Sequence, residues 1–116
     1  MTIRRLQPHG RLSGGAIHGD TVYLAGQVAD DPTLDTEGQT ADVLRQIDAL
    51  LAEAGTDKSR VLFCQVFLAD IADIAAMNRA WDAWYDRANP PGRATVEAKL
   101  VDPRWRVEIT AVAAMA

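Results

Sequence analysis

An arginine, a glutamate and a glycine are the residues of this chain whose types and positions could support a reaction: Arg93, Glu108 and Gly26. A guanidinium group binds a carboxylate through two parallel hydrogen bonds. A glutamate on the same sheet face could position a water molecule, and a glycine at a strand end lets a ligand approach the backbone closely. These residues predict a site that binds an anion beside a base. A solvated outer face with a simple bend at the glycine would show the same pattern.

Other common chemistries lack their sequence signatures. The chain contains no CxxC, HExxH or clustered carboxylate pattern, which argues against a metal site. It also has no glycine-rich phosphate loop and no nucleophile elbow. His9 and His18 lie in a loop and at a strand end, and the sole cysteine, Cys64, sits in an apolar run where an inert core thiol is expected. No cofactor is therefore predicted.

Length and composition predict one globular domain over residues 1–116. The chain is 48% hydrophobic and 24% charged, with a formal net charge of −4 and no basic patch, which argues against nucleic acid as a partner. One cysteine cannot form an internal disulfide. No apolar run approaches the ~20 residues needed to span a bilayer, and the N-terminal segment has no secretory apolar region. A soluble, cytoplasmic protein is expected.

The strands that carry Arg93 and Glu108 are indicated by strict alternation in residues 93–100 and 105–113. A period of two over this length is typical of strands with one apolar face. Asp102-Pro103 separates the two runs, so they are predicted to form an antiparallel hairpin. Arg93 and Glu108 then share the face that points away from the helices. The opposite parity supplies the apolar face: Ala94, Val96, Ala98, Leu100, Trp105, Val107, Ile109, Ala111 and Ala113.

Four further strands are predicted upstream or between the helices. Residues 2–6 indicate an edge strand, and residues 15–18 and 21–25 flank a Gly19-Asp20 turn. Residues 60–68 are apolar at both parities, as in a strand buried on both faces.

Two helices should cover the sheet. Thr36 and Gln39 have capping-box spacing, an apolar stripe follows, and Gly55 should end this helix. Asp70 should cap the second helix, in which Asn78 interrupts the apolar stripe and should tie a loop or strand end in place. The first stripe comprises Val43, Leu44, Ile47, Leu50, Leu51 and Ala54, and the second comprises Ile74, Met77, Asn78, Trp81, Trp84 and Tyr85.

The order of these elements predicts an α+β fold: a mixed sheet with both helices on one face. Right-handed crossovers place the helices on the same side of the sheet. The other face then has no cover, although the strand at 60–68 is apolar on both sides. An uncovered apolar face is a reason to oligomerise.

The chain resembles the RidA/YjgF family of enamine and imine deaminases along nearly its whole length, as a divergent branch. The resemblance is carried by VYLAGQV (22–28), AGTDKSRVLFCQVFLAD (54–70), AAMNRAW (75–81), PPGRATVE (90–97) and VEITAVA (107–113). It implies a chorismate-mutase-like fold and a homotrimer with three sites in the clefts between subunits.

The resemblance also implies roles for individual residues. Arg93 would bind the substrate carboxylate, assisted by the backbone amide of Thr95. Glu108 would position the hydrolytic water, and the backbone of Gly26 would face the cleft. Asn78 matches an asparagine of the second helix and is interpreted as structural.

Three positions depart from the family pattern. Ala25, Thr95 and Leu12 stand where serine, cysteine and tyrosine are frequent. Ala25 and Leu12 are still expected at the substrate, but these changes weigh against the usual small substrate, 2-aminoacrylate. The implied function is that of a 2-iminobutanoate/2-iminopropanoate deaminase: hydrolysis of 2-enamino or 2-imino acids to 2-oxo acids and ammonia. The alternative is a non-catalytic trimer that binds small carboxylates or a protein partner. The acidic chain gives no support to the ribonuclease activity sometimes attached to the family.

Overall fold

The structure, a computed structural model, describes all 116 residues. Six strands and two α-helices follow one another along the chain, with short 3-10 helices at Lys58–Arg60 and Ile71–Asp73. In chain order the elements are β1 (Ile3–His9), β2 (Leu12–His18), β3 (Thr21–Gln27), α1 (Thr36–Ala54), β4 (Val61–Leu68), α2 (Ile74–Trp84), β5 (Gly92–Glu97) and β6 (Val107–Ala114). Neither helix is both long and apolar enough to cross a membrane.

The six strands form a single mixed sheet in the order β1-β2-β3-β6-β4-β5. Strands β4 and β5 are parallel, and every other neighbouring pair is antiparallel. The predicted hairpin between the last two strands is therefore wrong, because β4 lies between β5 and β6. The α2 crossover places β5 beside β4 at the edge, and β6 takes the remaining side of β4. Alternation reveals that each segment is a strand but carries no information about its partner.

The sheet buries one face against the helices and leaves the other open. In β6 the positions 107, 109, 111 and 113 are buried, as the alternation predicts. A hydrophobic core joins them to the apolar stripe of α1, which is buried as expected. Both predictions, a mixed α+β sheet and helices on one face, are confirmed. We call the other side of the sheet the open face.

Strand β5 presents its side chains in the opposite sense to the one predicted. Side-by-side residues of paired strands point the same way, and Arg93 is in register with Cys64, a core residue of the helix-covered face. Arg93 and Thr95 therefore point to the helix side, whereas Ala94 and Val96 point to the open face. At the edge of the sheet the long side chain of Arg93 can extend past the core. The helix-covered face of β5 therefore tolerates an arginine at this position.

The open face carries large apolar side chains without cover. Tyr23 is 54% exposed, Phe63 40% and Val96 45%. Strand β4 was predicted to be buried on both faces. Within one chain it is buried only on the helix side, and Leu62 is also exposed. An open apolar face is thus confirmed, and the trimer inferred from it stays a prediction.

Helix α1 is capped one residue earlier than predicted. The side chain of Asp35, not Thr36, accepts a hydrogen bond of 2.8 Å from the amide of Gly38. Gln39, the other member of the predicted capping box, is instead fully buried and bonded to the chain before β6. It donates to the carbonyl of Arg104 and accepts from the amide of Arg106. Gly55 ends the helix in the left-handed conformation at φ 93°, as predicted.

Helix α2 also begins later than predicted. Asp70 caps the short 3-10 helix, and α2 itself starts at Ile74 with no side-chain cap. The 3-10 turn takes up the first residues, so the buried stripe starts at Met77 and includes Ala80, while Ile74 remains 37% exposed. Trp84 is anchored by a 2.9 Å hydrogen bond from its indole nitrogen to Asp48 of α1.

Candidate functional site

Arg93 is oriented by side chains of α2. Its Nη1 donates a hydrogen bond of 2.8 Å to Oδ1 of Asn78. Its guanidinium carbon lies 5.0 Å from the ring centroid of Trp81, within the range of a cation–π interaction. No carboxylate of the chain pairs with it. Because a guanidinium has five N–H donors, most of the group remains free to bind an anion.

Asn78 and Trp81 thus do more than their sequence pattern indicated. Asn78 was expected to tie a loop or strand end in place, and the structure shows that it orients the guanidinium of Arg93. Trp81 was assigned only to the core stripe, but its ring also supports the cation. The signal was an amide in an apolar stripe with a tryptophan three residues later, which places both on one side of a helix.

The free side of Arg93 opens into a pocket of about 380 Å³, which we call the arginine pocket. Its other lining residues are Asn78, Trp81, Asp82, Tyr85, Pro90 and Pro91. The lining holds one cation, Arg93, and one acid, Asp82, which make no ion pair with each other, so the guanidinium can bind a small acid. Near it, the Oγ1 atom of Thr95 is buried without a hydrogen-bond partner. Buried hydroxyls are nearly always bonded, so this atom has capacity for a ligand or a water molecule.

Glu108 lies on the open face of β6, beside Phe67 of β4. Its half-buried carboxylate makes no ion pair and accepts no hydrogen bond within the chain. The carboxylate rests against Gly26: a Cβ placed there would lie 2.9 Å from Cδ of Glu108 and closer still to Oε2. Only glycine leaves the carboxylate where it is. The free carboxylate can accept a hydrogen bond from water and take up its proton.

Gly26 lies in a bulge of β3. The register shifts between Leu24, opposite Ala111, and Gln27, opposite Ile109. Ala25 and Gly26 therefore face the single residue Thr110, the arrangement of a β-bulge, which is frequent beside active sites.

Leu12 and Ala25 both line a groove of about 700 Å³ beside the β1–β2 turn, which we call the hairpin groove. His9, Arg11 and Tyr23 also line it. Ala25 precedes Gly26, which contacts Glu108, although neither Gly26 nor Glu108 lines the groove itself. The structure therefore places four of the six predicted site residues in one region: Glu108 against Gly26, and Ala25 with Leu12 in the adjoining groove. Arg93 and Thr95 lie elsewhere.

Arg93 and Glu108 do not meet within one chain, and the prediction that they share a face is wrong. Strand β4 separates them, which puts their strands about 10 Å apart at ~4.8 Å per step. Arg93 is in register with Cys64 and Glu108 with Phe67, a further offset of about 10 Å along β4. They also project to opposite faces. A small carboxylic acid cannot touch both side chains of the same chain.

Cys64 is buried in the core, and its desolvation raises the pKa of the thiol to about 12. It is therefore protonated and unreactive at neutral pH, in agreement with the prediction of an inert core thiol. No group of three or more His, Cys, Asp and Glu side chains is placed to hold a metal ion.

Comparison with known proteins agrees with this fold. The sequence profile described as Endoribonuclease L-PSP matches residues 2–115. A RutC family protein of Haemophilus influenzae is 52% identical over 117 residues, covering 97% of this chain and 98% of that protein. The RutC family protein YoaB of Escherichia coli is 46% identical over 115 residues, covering 99% and 100%. The crystal structure of a YjgF family member from Neisseria meningitidis superposes with a TM-score of 0.97 at 42% identity, covering 100% of this chain and 97% of that one. The chain therefore belongs to the RidA/YjgF/RutC family, the family described as Endoribonuclease L-PSP.

Proposed function

We propose that this protein is a hydrolytic deaminase of 2-imino and 2-enamino acids whose site forms between copies of the chain. One observation carries the proposal: neither Arg93 nor Glu108 makes an ion pair, and the two lie on opposite faces of the sheet, about 14 Å apart. An anion-binding arginine and a free carboxylate can act on one small acid only if they come from different copies.

The open face supports such an assembly. Phe63 and Val96 would leave water if this part of the face packed against another copy, which is favourable by roughly 25 cal/mol for each Å² of apolar surface buried. We propose a homotrimer, the arrangement implied by the resemblance, with Arg93 of one subunit facing Glu108 of the next. Light scattering that shows a stable monomer at micromolar concentration would contradict this arrangement.

Substrate binding would rest on Arg93. Its fork would hold the substrate carboxylate in two charge-assisted hydrogen bonds, each worth about 1.5–3 kcal/mol. Asn78 and Trp81 fix the guanidinium in advance, so little side-chain freedom is lost on binding. The buried hydroxyl of Thr95 could accept or donate one further hydrogen bond.

The reaction consumes one water molecule. Glu108 accepts a proton as the water oxygen forms a bond to the imine carbon, and the C=N electron pair moves to nitrogen. Glu108 returns this proton to the nitrogen, which gives a neutral tetrahedral adduct with both a hydroxyl and an amine. Transfer of the hydroxyl proton to the amine, with Glu108 as the carrier, breaks the C–N bond, releases ammonia and forms the C=O bond of the 2-oxo acid. An enamine first becomes the imine by moving one proton from nitrogen to carbon. The main contribution of the protein to the rate is to position the water and the imine, because imines already react with water.

The alternative is a trimer that binds small carboxylates or a protein partner without chemistry. The observation that favours it is the apolar character of Leu12 and Ala25, which supply no hydroxyl to a ligand. The family description names a ribonuclease. We do not propose that activity, because a chain of net charge −4 is poorly suited to a phosphate backbone.

A coupled assay separates these functions. An amino acid oxidase releases imino acids in the presence of the purified protein, and the remaining imine is trapped with semicarbazide over time. A deaminase lowers the trapped imine and raises the rate of 2-oxo acid formation above that of buffer alone. If the imine decays at the buffer rate at every protein concentration, the binding alternative replaces the enzyme.

A further inference from the structure

The hairpin groove contains basic side chains that the proposed reaction does not use. Arg5, His9 and Arg11 line it, and no acidic residue does. Arg5 and Arg11 make no ion pair and no side-chain hydrogen bond within the chain. Arg4 behaves differently: its guanidinium donates a 2.8 Å hydrogen bond to the carbonyl of Glu53 on the helix side. The groove therefore has a local positive charge without a partner, in a chain whose net charge is negative.

Arg5, one of these basic groups, lies on the same face as Glu108. Arg5 is opposite Ala16, Ala16 is opposite Tyr23, and Tyr23 is opposite Val112 of β6. Val112 and Glu108 are four residues apart in one strand, so they share the open face. The groove thus extends across β1, β2 and β3, away from the carboxylate that would hold the attacking water. Arg5 is three strands and four residues from Glu108, about 19 Å along the sheet, so it lies at the far end of the groove.

The nearer end of the groove has no polar side chain for a ligand. Leu12 and Ala25 line it there and can offer only apolar contact. A substrate whose imine carbon sits beside Glu108 would pass these two residues first and meet the cations next. The nearest group that can discriminate between substrates is therefore the guanidinium of Arg11, beside Leu12.

We propose that the hairpin groove binds a second anionic group, at the side-chain end of the substrate, so that 2-imino acids with an acidic side chain are preferred. This inference rests on the proposed function and names its substrate class. Arg93 of another copy would hold the first carboxylate, and Arg11, which adjoins Leu12 at the nearer end of the groove, would hold the second anion, a carboxylate or a phosphate. Arg5 adds positive charge at the far end. His9 adds a donor at the same wall.

The kinetic test compares imines that differ only in side-chain charge. An oxidase specific for acidic amino acids supplies the imine of aspartate or glutamate, and a general oxidase supplies the imine of norvaline. We expect kcat/KM for the acidic imines to exceed that for the neutral imine by at least tenfold. Arg11→Gln should lower this ratio by about 10-fold, the usual effect of one hydrogen bond to a charged group. Arg5→Gln should lower it by less, because Arg5 acts only through its more distant charge. The matched control is Arg4→Gln, which removes the same charge from the other side of the same strand and should leave the ratio unchanged.

A binding test does not depend on turnover. The probes are 2-oxoglutarate, 3-phosphonooxypyruvate and 2-oxopentanoate, titrated by calorimetry into the assembled protein. Stronger binding of either dianion than of 2-oxopentanoate, lost in Arg11→Gln, supports the inference, and the stronger of the two shows whether a carboxylate or a phosphate is preferred. Equal binding of all three overturns it, even if imines are hydrolysed.

Failure of the two proposals can be told apart. If no imine is hydrolysed but the dianions bind more tightly, the proposed function fails and the anion groove stands. If Arg5→Gln or Arg11→Gln dissociates the assembly and leaves the substrate ratio unchanged, these arginines pair with an acid of another copy, and the groove is not a specificity site.

Discussion

Substitution of Gly26 by alanine should impair the reaction while leaving the fold intact. A Cβ at this position would lie 2.9 Å from Cδ and 3.1 Å from Cγ of Glu108, against an ordinary contact distance of 3.4–4 Å. The glutamate is a flexible side chain on an open face, so it would move rather than the backbone. The carboxylate must shift by at least about half an ångström at Cδ, and by more at Oε2. A displacement near 1 Å costs about 100-fold in rate for a positioned group.

The stability of the Gly26→Ala variant should be unchanged or slightly higher than that of the wild type. Gly26 does not adopt a positive φ, so alanine fits its backbone. Alanine also lowers the conformational entropy of the unfolded chain, which stabilises the folded state by about 0.4–1 kcal/mol. The expected result is an unchanged or slightly raised Tm, with kcat for imine hydrolysis lowered by about 100-fold. Thermal unfolding and the oxidase-coupled assay measure the two quantities. Gly14→Ala is the matched control, since its Cβ would meet Leu50 at 3.3 Å on the helix side of the sheet.

A double-mutant cycle identifies the mechanism of the loss. If Gly26→Ala acts through the carboxylate, it should have almost no further effect when combined with Glu108→Gln, because both changes disable the same group. Full additivity of the two losses, or wild-type turnover in the Gly26→Ala variant, would refute this reasoning.

Four further outcomes are expected. Arg93→Ala should abolish imine hydrolysis without unfolding the protein, and Arg93→Lys should restore little of it because a point charge cannot replace the fork; wild-type turnover of the alanine variant on imino acids would remove Arg93 from the site. Asn78→Ala should raise KM by about tenfold with a small change in Tm, since one hydrogen bond to a charged group is lost; an unchanged KM would restrict Asn78 to a structural role. Glu108→Gln should lower kcat by about 100-fold with assembly intact, whereas a loss of assembly by light scattering would make Glu108 an inter-subunit ion-pair partner. The pKa of Cys64 is raised to about 12 from an ordinary value of 9.0, so the folded state retains its proton at higher pH; the resulting stability is complete below pH 9 and declines as pH rises towards 12, and denaturant titrations from pH 8 to 11 should show less decline in a Cys64→Ala variant.

The sequence predicted individual elements well because their signals are local. The stripe from Val43 to Ala54 and the glycine at 55 define α1 through periodicity and backbone conformation alone. The alternation in β6 likewise assigned the buried parity correctly. The neighbouring strand in the sheet, and the face to which a side chain points, depend on more than local sequence. Arg93 was assigned to the wrong face because an edge strand that is half covered on both sides shows alternation whichever way it faces.

The site was predicted only in part for the same reason. Residue types identified Arg93 and Glu108, but their separation depends on β4 lying between their strands, which no local pattern shows. Gln39 is a similar case. Its spacing from Thr36 fits a cap, yet the amide is bonded to Arg104 and Arg106, more than sixty positions along the chain. Long-range partners of this kind can be seen only in three dimensions.

The strand that comes last in the sequence occupies the middle of the sheet. Until β6 is in place, β1, β2 and β3 form one sheet fragment and β4 and β5 form another, with no backbone ladder between them. Joining them requires contacts between residues far apart in sequence, which favours slow folding. A chain still emerging from the ribosome would therefore hold two unmatched strand edges until its final segment arrived. Glu108 is part of that segment, so the carboxylate of the candidate site enters the structure at the same step that closes the sheet.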